Sequence, residues 1–363
     1  MAENVFIFGA GASKDAGVPL MNKFINEGLA LKNKKIIQTE KIDFDRVDQA
    51  ITSLNNSLYS KINIGLINIE DVFGLIEMGR LLNKLPGYEN AEQIEELRKS
   101  IIKFIVVTIE QKNLFNHKEG VIASTAKIYD QFVEKILRNI YRNKISFSAI
   151  TFNYDISLDH SLSFYDIPYD YCFHDFPPKN KIKLIKLHGS INWGVCSKCD
   201  QIIPIDFAKF LIKFHPSLQR DLSPDPIPIR IGSKIGNFSH SGKCRAKLKD
   251  IPLLVPPTWN KTDYSPYIKV VWKHAAVELS EAENIFIIGY SMPETDLFFK
   301  YLLGLGTINP IKRLRKFWIF NPDRELEKRY ENLKGLGIED FQFFPSTFKE
   351  AVEGIPLEYL AKS

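Results

Sequence analysis

Five times along this chain a short apolar run stops abruptly at a small or polar group. Val5-Phe6-Ile7-Phe8 meets Gly-Ala-Gly, "FSAIT" meets "FNYD", "IKLIK" meets "LHGS", "IFII" meets "GYS", and "FWIF" meets "NPD". Runs this short, without polar alternation, suit strands buried on both faces, which is the situation of a parallel sheet covered by helices. Between them the apolar spacing turns helical. In "PYIKVVWKHAAVELSEAENIFIIGYS" the residues Ile268, Val271, Trp272, Ala275, Ala276 and Leu279 mark one helical face, and a strand follows at 285–288. "GIEDFQFFPSTFKEAVEGI" repeats the strand-then-helix order. The expected fold class is therefore α/β, a Rossmann-like and mostly parallel sheet with helices on both faces. Ligands of such sheets bind outside the carboxyl ends of the strands, so the five polar tips are expected to share one edge.

The pattern lapses between the first tip and the second. From about 40 to 145 the spacing is helical with no convincing strand. Ile128, Phe132, Val133, Ile136, Leu137, Ile140 and Tyr141 recur as one buried face. Asn68 stands as a cap before Glu70 and Asp71 in "NIEDVFGLIEMGRLL". A first helix is expected near 15–27. Residues 194–262, rich in Pro, Gly and Cys, read as an irregular excursion. The expected organisation is one ligand-binding domain made of 1–24 and 146–363, a helical module inserted at 25–145, and the excursion within the domain.

With 363 residues, 45% of them hydrophobic, the chain has ample material for a large core. A formal charge of +5 is too mild for a dedicated nucleic-acid binder. The basic runs Lys243-Arg245-Lys247-Lys249 and Lys312-Arg313-Arg315-Lys316 read as solvated faces, with a polyanion contact as the alternative. No apolar stretch reaches the roughly 20 residues that span a bilayer, and no leader precedes the first strand. A cytoplasmic protein with no membrane partner is expected. Four cysteines are too few for a disulfide scaffold, and Cys196-Ser-Lys-Cys199 hints at a metal.

Each tip has a chemical reading and a plainer one. Gly9 and Gly11 suit a sharp turn whose backbone approaches a pyrophosphate at a helix start. The turn departs from Gly-x-Gly-x-x-Gly at Lys14, and a merely structural turn stays open. Asn153 and Asp155 can aim an amide and a carboxylate into a cleft, or cap the next helix. His188, followed at once by Gly189, is placed to be a general base near neutral pH, or is a satisfied loop histidine. Gly289-Tyr290-Ser291 and Asn321-Pro322-Asp323 offer small and polar groups suited to a ribose or phosphate.

Taken together, "GAGASKDAGVP", "TFNYD", "KLHGS", the following Cys-x-x-Cys, "IIGYS" and "FNPD" resemble the sirtuin family, in order and surroundings. The resemblance is closest to the divergent bacterial sirtuin-like domains of antiphage defence systems and covers residues 5–20 and most of 147–325. It implies that Gly9, Ala10, Gly11, Ala12 and Ser13 hold the phosphates of NAD, and that Asn153 and Asp155 lie beside the nicotinamide ribose and carboxamide. It implies that His188 is a base acting on a ribose hydroxyl or on water. Gly289, Tyr290 and Ser291 would then lie at the phosphate or the adenine-side ribose, and Asn321 and Asp323 at that ribose or its base.

Two departures turn the expectation away from acyl-lysine. Where protein-deacylating sirtuins carry a Phe-Arg pair, this chain has Asn22 and Lys23 in "GVPLMNKF". Where they present a peptide-pairing segment, it reads "IPLLVPPTWNK", and Pro256-Pro257 cannot donate strand hydrogen bonds. The expected activity is an NAD glycohydrolase, a gated NAD-depleting effector of antiphage defence. The alternatives are an NAD-dependent deacylase or ADP-ribosyltransferase, and a non-catalytic NAD- or ADP-ribose-sensing module. Expected partners are a second copy of the chain and a companion such as a DNA-translocating ATPase or an Argonaute-like protein. A zinc-ribbon-like site would need four ligands, Cys196, Cys199, His240 and Cys244.

Overall fold

A computed structural model describes residues 3–32, 34–62, 68–118, 121–124, 127–214, 225–241, 244–256, 266–293, 296–307, 314–333 and 337–354. Lys243, Pro257, Lys312 and Arg313 lie outside the described residues. The strands, in chain order, are β1 (Asn4–Phe8), β2 (Leu114–Lys118), β3 (Val121–Ser124), β4 (Phe147–Thr151), β5 (Tyr169–Asp170), β6 (Ile182–Lys186), β7 (Trp193–Val195), β8 (Ile202–Pro204), β9 (Ile227–Pro228), β10 (Asn284–Ile288), β11 (Leu314–Phe320) and β12 (Ile338–Phe344). Seven of them form one sheet in the order β12-β11-β10-β1-β4-β6-β5. Every pairing in that sheet is parallel.

Register explains how the two faces are covered. Phe6 pairs with Phe286, and Phe286 with Trp318, so these three rings share one face. Phe6 and Phe8 pack there edge-on to Phe132, and Phe8 also meets Phe348. On the other face Val5 lies in register with Ile285, and Ile285 with Phe317, whose ring meets Tyr330. Lys183, which shares that second face, donates to Glu278 of the helix Pro266–Glu281 at 2.6 Å. Helices thus bury both faces, and β1, β4 and β10 have no exposed residue.

The helical stretch departs from expectation in three places. β2 and β3 pair antiparallel within it, and β2 also pairs with β9 from the excursion. Their short and partly polar sequence, "LFNHKEGVIAS", carries no clean alternation that would have betrayed them. Tyr141 is 36% exposed, at the end of a face otherwise buried from Ile128 to Ile140. The first helix is split into Ala10–Lys14 and Met21–Leu29, with Gly17 at φ +90° and Pro19 between them. The Asn68 cap is present, its side chain accepting from Glu70 N at 2.9 Å. The excursion is not wholly irregular: β7 and β8 pair antiparallel, and Phe207–Phe214 is a helix.

The apolar interior has two parts. One surrounds the sheet and includes Ile128, Tyr129, Phe132 and Ile136. The other joins the helices of 21–112 to Ile205, Phe210, Ile231, Ile235 and Leu248 of the excursion. Tyr154, Ile156, Ile191 and Leu254, which immediately follow or face the sheet's tips, belong to this second part. The tips therefore stand at the seam between the two. No described helix is long and apolar enough to cross a membrane.

Candidate active site at the strand tips

All seven strands being parallel, their carboxyl ends lie on one edge, and register fixes who stands beside whom. Phe8 pairs with Thr151 and Ile288, so Gly9, Phe152 and Gly289 are each the first residue past the sheet. Thr151 pairs with Lys186, so Asn153 and His188 each stand two residues beyond adjacent strand ends. Gly9, Gly11, Asn153, His188, Gly289 and Asn321 are brought to the same edge.

The opening turn and the fourth tip cross at backbone distance. Gly11 N donates to Gly289 O at 2.8 Å, and Gly9 N to Ile288 O at 3.0 Å. A Cβ on Gly289, whose φ is +63°, would sit 2.4 Å from Ala12 N. A Cβ on Gly9 would sit 2.4 Å from Tyr290 Cα. The crossing of two chain segments accounts for these glycines by itself. It also engages two of the amides expected for phosphate, those of Gly9 and Gly11, and a third, Ala12 N, donates within the turn to Gly9 O at 3.0 Å. Ala10 and Gly11 remain half-buried.

Asn153 is the half-buried member of its tip and is held at three points. Its own N–H donates to Thr151 Oγ1 at 3.0 Å. Its Nδ2 donates to Gly9 O at 2.9 Å and to Ser13 Oγ at 2.8 Å. Ser13 is 1% exposed, so its hydroxyl faces inward, where it lies 2.9 Å from Tyr129 Oη. Asp155 takes the capping one of its two sequence readings. Its Oδ1 caps the next helix by accepting from Ser157 N at 3.0 Å, while its buried Oδ2 has no hydrogen-bond partner among the described residues.

His188 is buried in an aromatic setting, with its ring edge-on to Phe152 at 5.2 Å. Its Nε2 lies 4.0 Å from Asp296 Oδ2. Asp296, itself buried, accepts from Tyr290 Oη at 2.7 Å, and Tyr290 stacks on Phe152 at 4.1 Å. Burial pushes the Tyr290 phenol well above its ordinary range, so it stays a neutral donor to that carboxylate. The fifth tip acts as a brace. Asn321 Nδ2 donates to Tyr290 O at 3.2 Å, and its Oδ1 accepts from Asp323 N at 3.1 Å. Asp323 Oδ1 caps Glu325 N at 3.0 Å, and Ser291 is exposed. Chemically, the edge offers a histidine beside a carboxylate, next to an amide held in one orientation.

No family model and no curated protein sequence matches the chain. Among solved structures, a complex of Sir2 with p53 peptide and NAD+ is 12% identical and covers 99% of this chain and 94% of that one, with a TM-score of 0.43. Sir2 bound to acetylated peptide is 11% identical, over 99% and 94%, with a TM-score of 0.42. A Sir2 homologue with ADP-ribose is 14% identical, over 96% and 88%, with a TM-score of 0.38. The chain is similar to Sir2 structures. What its tips do is decided by its own residues.

Tyr129 and Asp296 were not visible as site residues from sequence. Tyr129 lies within the helix Lys127–Phe132, and Asp296 stands just before the helix Leu297–Thr307, where its Oδ1 accepts from Phe299 N at 3.2 Å, so each reads locally as an ordinary helix residue or cap. Lys186 is a third. Completely buried, it donates to Asp155 O at 2.6 Å and pairs with Asp159 at 3.0 Å, so it pins the carbonyl of the Asn153 tip. A cavity of about 1190 Å³ opens nearby, lined by Asp159, Tyr169, Tyr171, Asn192 and Phe207 among others. It includes none of Gly9–Ser13, Asn153, His188 or Gly289.

The four expected metal ligands do converge. Ligand atoms of Cys196, Cys199, His240 and Cys244 all lie within 4.8 Å of one another. Cys196 Sγ is 3.5 Å from Cys244 Sγ, and Cys199 Sγ is 3.5 Å from His240 Nδ1. Tetrahedral zinc with Zn–S near 2.3 Å places its ligands about 3.8 Å apart, so the set fits. The backbone N–H of Lys198, with that of Cys199, pulls the Cys196 thiol down to about 6, toward the thiolate a metal requires. Hydrogen bonds across the tertiary structure assemble the cluster: Ser197 N donates to Lys247 O at 3.0 Å and His240 N to Ala246 O at 2.9 Å.

Proposed function

We propose that this chain is an NAD glycohydrolase, replacing nicotinamide by water at the anomeric carbon of the nicotinamide ribose. The C–N bond breaks with its electron pair leaving on nicotinamide. Water forms the new C–O bond, and its proton passes to a base. Pyridinium is already a good leaving group, so the protein's task is to hold the ribose, stabilise its oxocarbenium-like charge and position the water. His188 is the base, oriented by the neighbouring Asp296 carboxylate. Asn153 accepts a hydrogen bond from the ribose or the water. Asp155 Oδ2, a buried acceptor without a hydrogen-bond partner among the described residues, takes the carboxamide N–H of nicotinamide. The turn at Ala10 and Gly11 faces the pyrophosphate, with Gly289, Ser291 and Asp323 toward the adenine-side ribose.

The observation that carries this reading is the pairing, at adjacent strand ends, of buried His188 beside Asp296 with half-buried Asn153, whose donor hydrogens are committed to Gly9 and Ser13. Water rather than acyl-lysine is the acceptor because the positions of the Phe-Arg pair are exposed Asn22 and Lys23 on the helix Met21–Leu29. In this reading residues 1–24 and 146–363 form the NAD-binding domain and 25–145 a module that gates it. Cys196, Cys199, His240 and Cys244 hold a structural zinc that ties the β7–β8 hairpin to the 240–244 segment. Loss of NAD harms a cell, so the activity is gated by self-assembly or by a companion defence protein.

The test is incubation of purified protein with NAD alone, with nicotinamide and ADP-ribose both measured. Equimolar release without any acyl-peptide is expected. Turnover only with acylated peptide would make it a deacylase, and NAD binding without turnover a sensing module.

A further inference from the structure

The Asn153 amide has two hydrogens, and both are spent inside the protein, on Gly9 O and Ser13 Oγ. A backbone carbonyl only accepts, so rotating the amide by half a turn would set Oδ1 against Gly9 O, acceptor against acceptor. The second anchor is weaker by itself, because a serine hydroxyl can rotate to donate as easily as to accept. That freedom is lost where Ser13 Oγ donates to Tyr129 Oη, because Ser13 can then only accept from Asn153. Tyr129 Oη lies 2.9 Å from Ser13 Oγ and 3.5 Å from Asn153 Nδ2, within an interior where Tyr129 is 1% exposed. Burial, then the nearby Asp155 charge, raises its phenol far above the ordinary range, so it remains a neutral hydroxyl at any working pH. Its ring is packed against Phe348 at 5.3 Å and Phe8 at 6.2 Å, which fixes where the hydroxyl stands.

We propose that Tyr129 is a positioning residue for the reaction at Asn153. Through Ser13 it holds the Asn153 amide with its nitrogen inward, so that the side chain offers its carbonyl oxygen to the ligand as an acceptor only. The proposal rests on the glycohydrolase reading and adds to it a specificity. The group that Asn153 contacts must be a hydrogen-bond donor, a ribose hydroxyl or the attacking water, and not a carbonyl or phosphate oxygen. The positioning comes from the helix Lys127–Phe132, outside every strand-tip motif.

Tyr129→Phe keeps the ring and deletes the hydroxyl. It should lower kcat for nicotinamide release about tenfold, the worth of one buried hydrogen bond to a positioned group, with KM for NAD changed less than about threefold. Ser13→Ala should lose at least as much. The double variant should be no slower than Ser13→Ala, because Tyr129 acts through that hydroxyl. Thermal unfolding of each variant separates positioning from packing, and a midpoint within a few degrees of the parent is expected for Tyr129→Phe. Turnover of Tyr129→Phe within twofold of an active parent would overturn the proposal and leave the glycohydrolase reading standing, as would losses that multiply in the double variant. A parent chain that binds NAD but releases no nicotinamide would overturn both.

Discussion

The strand tips and the Cys196–Cys244 cluster each gather polar side chains from distant parts of the chain, yet they are held in opposite ways. At the tips nearly every polar atom is tied to backbone or to a neighbour: Asn153 to Gly9 and Ser13, Asn321 to Tyr290 and Asp323, Lys186 to Asp155 and Asp159. The cluster instead brings three sulfurs and an imidazole nitrogen face to face, where they make only long contacts with one another. The tip framework is held by protein groups, except at Asp155 Oδ2, which has no hydrogen-bond partner among the described residues. The cluster has the donor set of a tetrahedral zinc site. Satisfied polar networks preorganise a site, whereas converging soft donors store their stabilisation in a metal.

Metal removal should divide the two regions most sharply. A strong chelator, or Cys199→Ser, should disorder the segment from Cys196 to Leu248, since structural zinc contributes on the order of 10 kcal/mol to small domains. Hydrogen exchange read along the chain checks this, and protection of β1, β4 and β10 should persist. Uniform loss of protection, or none, would erase the contrast between the regions. Next in size is Gly289→Ala, which forces a Cβ to 2.4 Å from Ala12 N at a left-handed φ of +63°. A loss of roughly 3 kcal/mol or more is expected by denaturant titration, because neither backbone segment can yield. A neutral result would remove the crossing as the reason for glycine there.

Smaller in energy but larger in rate, His188→Ala and Asn153→Ala should each lower NAD turnover about a hundredfold or more, the usual worth of a positioned base or charge-stabilising group. NAD affinity should move much less, since in the proposed reading the pyrophosphate is met by the Gly9–Ser13 turn. Steady-state hydrolysis alongside NAD titration decides it, and near-normal turnover in His188→Ala would leave the histidine a strand-end residue.

The smallest effect concerns the joint between the helices and the excursion. Buried Glu110 accepts from Gly232 N at 2.7 Å and Ser233 N at 3.0 Å, and from the Ser233 hydroxyl, with Arg230 nearby. Desolvation outweighs these donors and raises its carboxyl from 4.5 to about 7. The folded state therefore binds a proton more tightly than the unfolded one. Its stabilisation is full below pH 4.5 and is lost as pH rises through about 7. Between pH 6 and 8 the loss is on the order of 1 kcal/mol. Glu110→Gln should flatten that part of the stability profile measured by urea unfolding, and an unchanged slope would assign the pH dependence elsewhere.

Much of the sheet was legible because each strand is a local event. "VFIF" and "IFII" are apolar on every residue, "FSAIT" and "IKLIK" carry apolar residues on both faces, and burial on both faces accommodates that. The Asn68 cap was legible for the same reason, since donor and acceptor are two residues apart. β2 and β3 were missed because their pairing partners, not their own composition, hold them extended. The glycines of the first turn were read as room for a phosphate. Their close neighbour, the Gly289–Tyr290 backbone, is nearly three hundred residues away in the chain, where no local pattern refers to it.

By itself the sequence determined six of the seven strands of the parallel sheet, that their polar ends would gather on one edge, and that Cys196 and Cys199 would face a common centre. Periodicity and spacing act within a few residues, and burial selects among them. Only the tertiary structure decided which side chains complete those beginnings. Asp296 stands beside His188, Tyr129 behind Ser13 and Asn153, and Cys244 and His240 opposite the Cys-x-x-Cys pair. Such partners are chosen by the packing of helices and loops against the sheet, an outcome of the whole chain's burial that no short stretch of it encodes.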